Sequence, residues 1–157
     1  MPQTFVSSSA TFTFDYPDDW KLEKEDVGTL KLYKKGGFLK KSGQHILRIT
    51  PMISDEMISP SAYKSLLTIR RKEHSDLEVI EKADNYIMNF HILKYKKEKY
   101  EDVGERTYLM LQDCWELIIS NRIFTCWFSV RKGEETSDSA KEQKAIAEQI
   151  LYTIKLL

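Results

Sequence analysis

The stretch Thr11-Phe12-Thr13-Phe14-Asp15-Tyr16-Pro17-Asp18-Asp19-Trp20 points to the fold class of this chain. Phe12, Phe14 and Tyr16 alternate with Thr11, Thr13 and Asp15, the period-two pattern of a strand with one buried face. Pro17 has no N–H for a ladder and ends the strand. Trp20 then returns a large apolar anchor after the acidic turn Asp18-Asp19.

Working outward, Leu30 and Leu32 alternate with Lys31 and Tyr33 in a second strand, and His45 to Thr50 reads as a third, with Leu47 and Ile49 on one face. The loop from Lys34 to Gly43 between them fits a long hairpin connection with glycine near both ends. Ser59-Pro60 is a helix start, a capping hydroxyl followed by a proline where its missing N–H costs nothing. Ala62, Leu66 and Ile69, with Tyr63 and Leu67 beside them, give that helix an apolar stripe as far as His74. Leu77 to Ala83 and Tyr86 to Lys94 read as strands joined at Asp84-Asn85. The charged run Tyr95 to Asp102 is expected to leave the sheet or extend past its edge. Arg106 to Val130 carries the densest strand signal. Ser139-Ala140-Lys141-Glu142 matches a capping box. Behind it Ala147, Ile150, Leu151 and Ile154 form the stripe of a terminal helix. Strands, helix, strands and helix joined by hairpins predict an α+β domain, residues 1–157, with a mostly antiparallel sheet.

In the late hairpin a two-residue turn at Asn121-Arg122 would set Leu117 opposite Cys126 and Trp115 opposite Phe128. One face then collects Trp115, Leu117, Ile119, Phe124, Cys126, Phe128 and Val130, which is core. The other carries Cys114, Glu116, Ile118, Ser120, Ile123, Thr125, Trp127 and Ser129. Three large apolar groups on that second face imply that both sides of the sheet are at least partly covered, by a helix on each. The same register sets Cys114 opposite Ser129, too far from Cys126 for a disulfide.

Composition bounds the function classes. The chain has 157 residues, 41% of them hydrophobic, with 24 Lys plus Arg against 24 Asp plus Glu. Zero formal charge argues against a general nucleic-acid binder or a membrane-surface protein. No apolar run approaches the ~18 residues of a membrane span, and the opening Met1-Pro2-Gln3-Thr4-Phe5-Val6 lacks the pattern of a signal peptide. With two cysteines, Cys114 and Cys126, the expected location is the cytoplasm, both thiols reduced.

The run Phe14-Asp15-Tyr16-Pro17-Asp18-Asp19-Trp20 resembles the opening of PsbP-like domains. So do the Trp- and Phe-rich late hairpin and the terminal helix ending in Ile150-Leu151-Tyr152-Thr153-Ile154. That fold group includes the extrinsic photosystem subunit PsbP, a nuclear-transport factor that binds the GTPase Ran, and many small bacterial proteins without assigned function. The resemblance implies an antiparallel sheet sandwiched between helices (αβα) over nearly the whole chain. It implies binding of other proteins, in some bacterial members a chaperone-like role toward secretion-system effectors, and no shared catalytic set. No functional residue carries over from it.

Individual residues offer little chemistry of their own. His45, His74 and His91 have no metal-ligand spacing. Gly36-Gly37-Phe38-Leu39-Lys40-Lys41-Ser42 lacks the glycine before Lys-Ser, and the following helix, of a phosphate loop, and reads as a basic hairpin tip. Cys126 falls on the core face. Cys114 reads as nearer a turn and more exposed, with no histidine local to it. Asp18-Asp19, Glu101-Asp102 and Glu134-Glu135 sit in solvated stretches. Two readings stay open for Ile118, Ile123 and Trp127: a helix covers them, or they form an aromatic patch for a protein partner. The expectation is a protein-interaction module without catalytic activity, cofactor or metal. Its candidate binding residues are Ile118, Ile123, Trp127, Lys40 and Lys41. The alternatives are a small-molecule or lipid site between the sheet and the Ser59–His74 helix, and an enzyme whose site assembles only in three dimensions.

Overall fold

The computed structural model describes residues 2–9, 11–25, 28–36, 45–53, 59–84, 87–103, 105–119 and 122–157. Strands β1 (Gln3–Val6), β2 (Phe12–Tyr16), β3 (Trp20–Lys24), β4 (Leu30–Lys34) and β5 (Ile46–Ile53) precede helix α1 (Pro60–Glu73). Strands β6 (Glu78–Asp84), β7 (Ile87–Val103), β8 (Arg106–Ile119) and β9 (Arg122–Arg131) follow, then helix α2 (Asp138–Tyr152) and the short β10 (Lys155–Leu156). Seven strands make one sheet in the order β3-β4-β5-β9-β8-β7-β6, and β1-β2-β10 make a smaller one. All pairings are antiparallel. The α+β expectation holds.

The opening motif does what its alternation predicts. Phe12 and Phe14 are buried in β2, Tyr16 is half-buried, and Pro17 follows the last strand residue. The Trp20 N–H closes a turn onto the Pro17 carbonyl at 3.0 Å, and Trp20 opens β3 with its ring buried. Phe12 carries the small sheet onto the large one, meeting Phe124 edge to face at 5.1 Å between ring centroids.

The core lies on one face of the large sheet. Trp20, Leu32, Leu47, Ile49, Ile92, Trp115, Leu117, Phe124, Cys126 and Phe128 point there and pack against Ala147, Ile150 and Leu151 of α2. Two ion pairs tie the rim of that helix down, Lys144 to Asp113 at 3.1 Å and Lys94 to Glu148 at 3.0 Å. Its cap is Ser137, whose hydroxyl accepts the Ala140 N–H, and not Ser139. The helix starts one residue after Ser137, which leaves Ser139 inside the first turn, where it meets Gln143 instead.

Two further expectations, both on the late hairpin, are corrected. The late hairpin pairs Ile118 with Ile123, Leu117 with Phe124 and Trp115 with Cys126, two positions away from the Asn121-Arg122 turn register. Strand period is two, so that shift leaves both faces with the same members. It also sets Cys114 opposite Trp127 in place of Ser129, with Cys126 pointing to the other side of the sheet, and both thiols are free. Of its two expected courses, the charged run Tyr95–Asp102 does not leave the sheet: it stays in β7, bonded to β8 throughout, and its far end extends past the edge. Strand β6 pairs with β7 only as far as Lys94, and β9 with β8 only from Met110 onward. Residues 100–103 and 106–109 therefore project as a two-stranded ribbon.

Helix α1 starts where Ser59-Pro60 predicted, with the Ser59 hydroxyl accepting the Ala62 N–H, and ends with His74 as its cap. Its inward positions are Tyr63, Leu66, Leu67, Arg70 and His74, while Ala62 and Ile69 face water. The expected stripe is thus rotated toward Arg70. No helix among the described residues is long and apolar enough to cross a membrane.

Candidate interaction face

The face of the large sheet opposite the core carries the side chains most capable of recognition. Trp127 stands near its middle on β9, directly across from Arg48 on β5 and Cys114 on β8. The side chains of Thr125 and Ser129 share its face along β9. The indole is half-buried, as is Ile123, whereas Ile118 is 1% exposed. The structure therefore splits the sequence-predicted patch, leaving Ile123 and Trp127 accessible and Ile118 covered. Lys40 and Lys41, in the predicted basic tip, lie outside the described residues.

A polar net surrounds the open half. Arg48 Nε donates to Glu25 at 2.9 Å, and its Nη1 lies 4.0 Å from Glu101. Glu101 accepts from Gln112 Nε2 at 2.9 Å, and Gln112 and Ser129 are both buried. Thr29 and Thr50 join hydroxyls at 2.9 Å, and Tyr33 donates to Glu23 at 2.7 Å. Burial pushes the Tyr33 phenol upward, and the Glu23 carboxylate beside it adds to that.

The covered half has a different chemistry. Glu116 is 3% exposed, and its Oε1 accepts both Arg70 Nε at 2.5 Å and the Tyr95 hydroxyl at 2.7 Å. Ring stacks flank this carboxylate: His74 lies on Tyr95 and Tyr63 lies on His91, each with centroids 4.0 Å apart. Burial, followed by Glu116, holds the Tyr95 phenol well above the ordinary tyrosine range. Cys114, placed near a turn from its sequence, is instead mid-strand and buried beside Tyr95 and Trp127. Burial pushes its thiol up to about 12, so a reactive thiolate is disfavoured there. The Arg70–Glu116 pair was not legible in the sequence. A buried glutamate alternating with apolar neighbours, Trp115 and Leu117, was its one available sign.

His45 packs edge-on to Phe128 on the core side, and burial lowers its pKa. Among the described residues no three His, Cys, Asp or Glu side chains are grouped to hold a metal. Two clefts lie away from this face. One of about 310 Å³ is lined by Tyr16, Pro17, Asp18, Ile146 and Ile150, among others. The other, about 250 Å³, is lined by Ser7, Ser9, Thr11, Leu30 and Pro51, among others. Neither is between the sheet and α1, where the sequence suggested a ligand pocket, and neither is lined by a histidine or cysteine.

No protein-family model matches the chain, and no curated protein matches it. Solved structures do. A crystal structure from Bacteroides thetaiotaomicron VPI-5482 is similar with a TM-score of 0.66 and 22% identity, over 99% of this chain and 48% of that one. The likeness is one of fold. This chain spans about half the length of that protein. The solution structure of cyanobacterial PsbP (CyanoP) from Synechocystis sp. PCC 6803 is similar at 11% identity and a TM-score of 0.49, covering 99% of this chain and 92% of that one. The structural neighbours thus include a PsbP and a protein from a bacterium.

Proposed function

We propose that this chain is a protein-interaction module, an adaptor or chaperone-like domain of PsbP-like αβα design. In this reading it works in the cytoplasm, without catalysis, through the open half of the sheet face around Trp127. The observation that carries the proposal is the half-exposed indole set between Arg48 and Cys114, with hydroxyl and amide groups beside it. Tryptophan and arginine at the centre of a polar surround are the residue types that dominate binding energy at protein interfaces. Lys40 and Lys41 belong to this proposal by their charge alone, as cations for an acidic stretch of the partner.

The test is crosslinking of the purified protein to its co-purifying partner, with the crosslinks mapped by mass spectrometry. Crosslinks on β5 and β9 that vanish with Trp127→Ala, at unchanged thermal midpoint, support the reading. Crosslinks confined to other surfaces, or capture undiminished by Trp127→Ala, overturn it.

The cleft beside Tyr16 and Pro17 favours a second reading, a site for a small apolar ligand, since its size reaches the lower end of ligand pockets, about 300 Å³. Native mass spectrometry of gently purified protein would show a retained ligand; a bare polypeptide mass would count against it.

A further inference from the structure

Helix α1 is seated unlike any other element of the molecule. Its inward residues recur at 63, 66, 67, 70 and 74, an amphipathic spacing, yet none of its residues is buried. It rests on the sheet through a row of three contacts: Tyr63 on the His91 ring, Arg70 on the Glu116 carboxylate, and His74 on the Tyr95 ring. Positions i and i+11 of a helix are about 16 Å apart, and His91 and Tyr95 are about 13 Å apart along β7, so one straight helix reaches all three seats.

Beneath the row lie Leu93, Cys114 and Ile118, all buried. Ile118 pairs directly with Ile123, and Cys114 with Trp127, so the covered and open halves of the face are continuous. Lifting α1 would expose the partly buried Tyr63, Leu66 and Leu67 and the apolar residues beneath them, but it would pull no fully buried side chain of the helix out of the core. It would also return Arg70 and Glu116 to water, which offsets the loss of their attraction.

We propose that α1 is a displaceable cover, and that the face beneath it receives an amphipathic helix of a partner carrying an arginine seven residues after an aromatic residue. This rests on the interaction reading above and names the chemistry of its partner. The occupant is a helix because α1 itself shows what the face accepts. It must bring a cation because Glu116 would otherwise be buried with only the Tyr95 hydroxyl beside it. Arginine suits that position because its planar guanidinium matches a carboxylate. When α1 lifts, Ile118 joins Ile123 and Trp127, which restores the patch that the sequence suggested.

The two cysteines report on this directly, one under each helix. In the wild-type chain, α1 amides should exchange with deuterium at least about tenfold faster than those of α2, and Cys114 should react with iodoacetamide before Cys126. Arg70→Ala should speed Cys114 alkylation about tenfold more, with Cys126 unchanged. An end-capped peptide of residues 59–74, added to that variant, should slow Cys114 again, while the same peptide with Arg70→Glu should not. If the Arg70→Ala chain fails to fold, Arg70→Lys serves in its place, and the wild-type exchange decides without either. Helices that exchange together, with both thiols equally protected, make α1 a fixed part of the core and overturn the proposal. An open α1 with no difference between the two peptides overturns its helix-receiving half. Failure of the interaction reading shows separately, as crosslinks away from β5 and β9 while α1 still opens.

Discussion

On the α2 side of the large sheet, Trp115, Leu117, Phe124, Cys126 and Phe128 are fully buried against Ala147, Ile150 and Leu151. On the α1 side no side chain of the helix is fully buried, and the helix rests on Glu116, Tyr95 and His91. The two arrangements place stability and adaptability on opposite faces of one sheet. Apolar packing is non-directional and grows with area, so the α2 face holds the fold. A buried carboxylate with one cationic partner contributes little net stability but strongly prefers the right partner, so the α1 face is suited to selecting what covers it.

The largest effect that would sharpen this contrast is Trp115→Ala. It should lower unfolding free energy by about 3–5 kcal/mol in urea titrations, because it empties the centre of the core. A loss below about 1 kcal/mol would break the comparison, since the α2 face would then not be the one that holds the fold. Arg70→Ala should cost less, about 1–3 kcal/mol, by leaving Glu116 with one hydrogen bond. The double variant Arg70→Met with Glu116→Leu should recover most of that loss, as replacement of a buried pair by apolar residues often does. If the double variant stays as unstable as the single one, the polar seat is a stability element after all.

Ser137→Ala should cost about 1 kcal/mol and Ser139→Ala much less, which checks which hydroxyl caps α2. The smallest effect is a pH dependence at the α2 rim. Burial raises the Glu148 carboxyl, but Lys94 and then the Tyr152 hydroxyl outweigh it, and its pKa falls below the ordinary 4.5. A carboxyl depressed in the folded state adds stability in full above the unfolded pKa and loses it as pH falls through the folded value. Urea midpoints should therefore drop below about pH 4.5, and Lys94→Met should flatten that part of the profile by roughly 0.5 kcal/mol.

Much of the α2 face was legible because its code is redundant. Ala147, Ile150 and Leu151 repeat at helical spacing, and the hairpin faces survive a register error of two because strand period is two. The register itself was not legible, since serine and asparagine at 120 and 121 suit a turn as well as Asn121-Arg122. Strands β1 and β10 escaped because runs of four and two residues carry too few alternations, and β3 because its two apolar positions, Trp20 and Leu22, stand among charged residues. The orientation of α1 was hidden for a different reason. Hydrophobic patterning favours Ile69 over Arg70, and the Glu116 carboxylate, contributed by a strand 46 residues away, turns the helix toward the arginine together with the two ring stacks. A seat built from charge and ring stacking leaves no periodic trace in one sequence. The candidate surface was therefore half visible: the face and a helical cover over it were expected, but not that the cover would reach Ile118 and leave Trp127 and Ile123 partly exposed.

The projecting ribbon gives the molecule one more property. From Lys97 to Val103 the outer side of β7 pairs with no described strand, and Tyr100 there is 69% exposed. Bare strand edges are the usual seeds of fibre growth. Parallel in-register fibrils stack each residue over its own copy. Along this edge Lys97, Glu98, Lys99, Glu101 and Asp102 would then all meet their own charge. Asp76 also occupies the Lys96 N–H at 2.9 Å where the edge begins. The edge is open to water and closed to parallel self-templating.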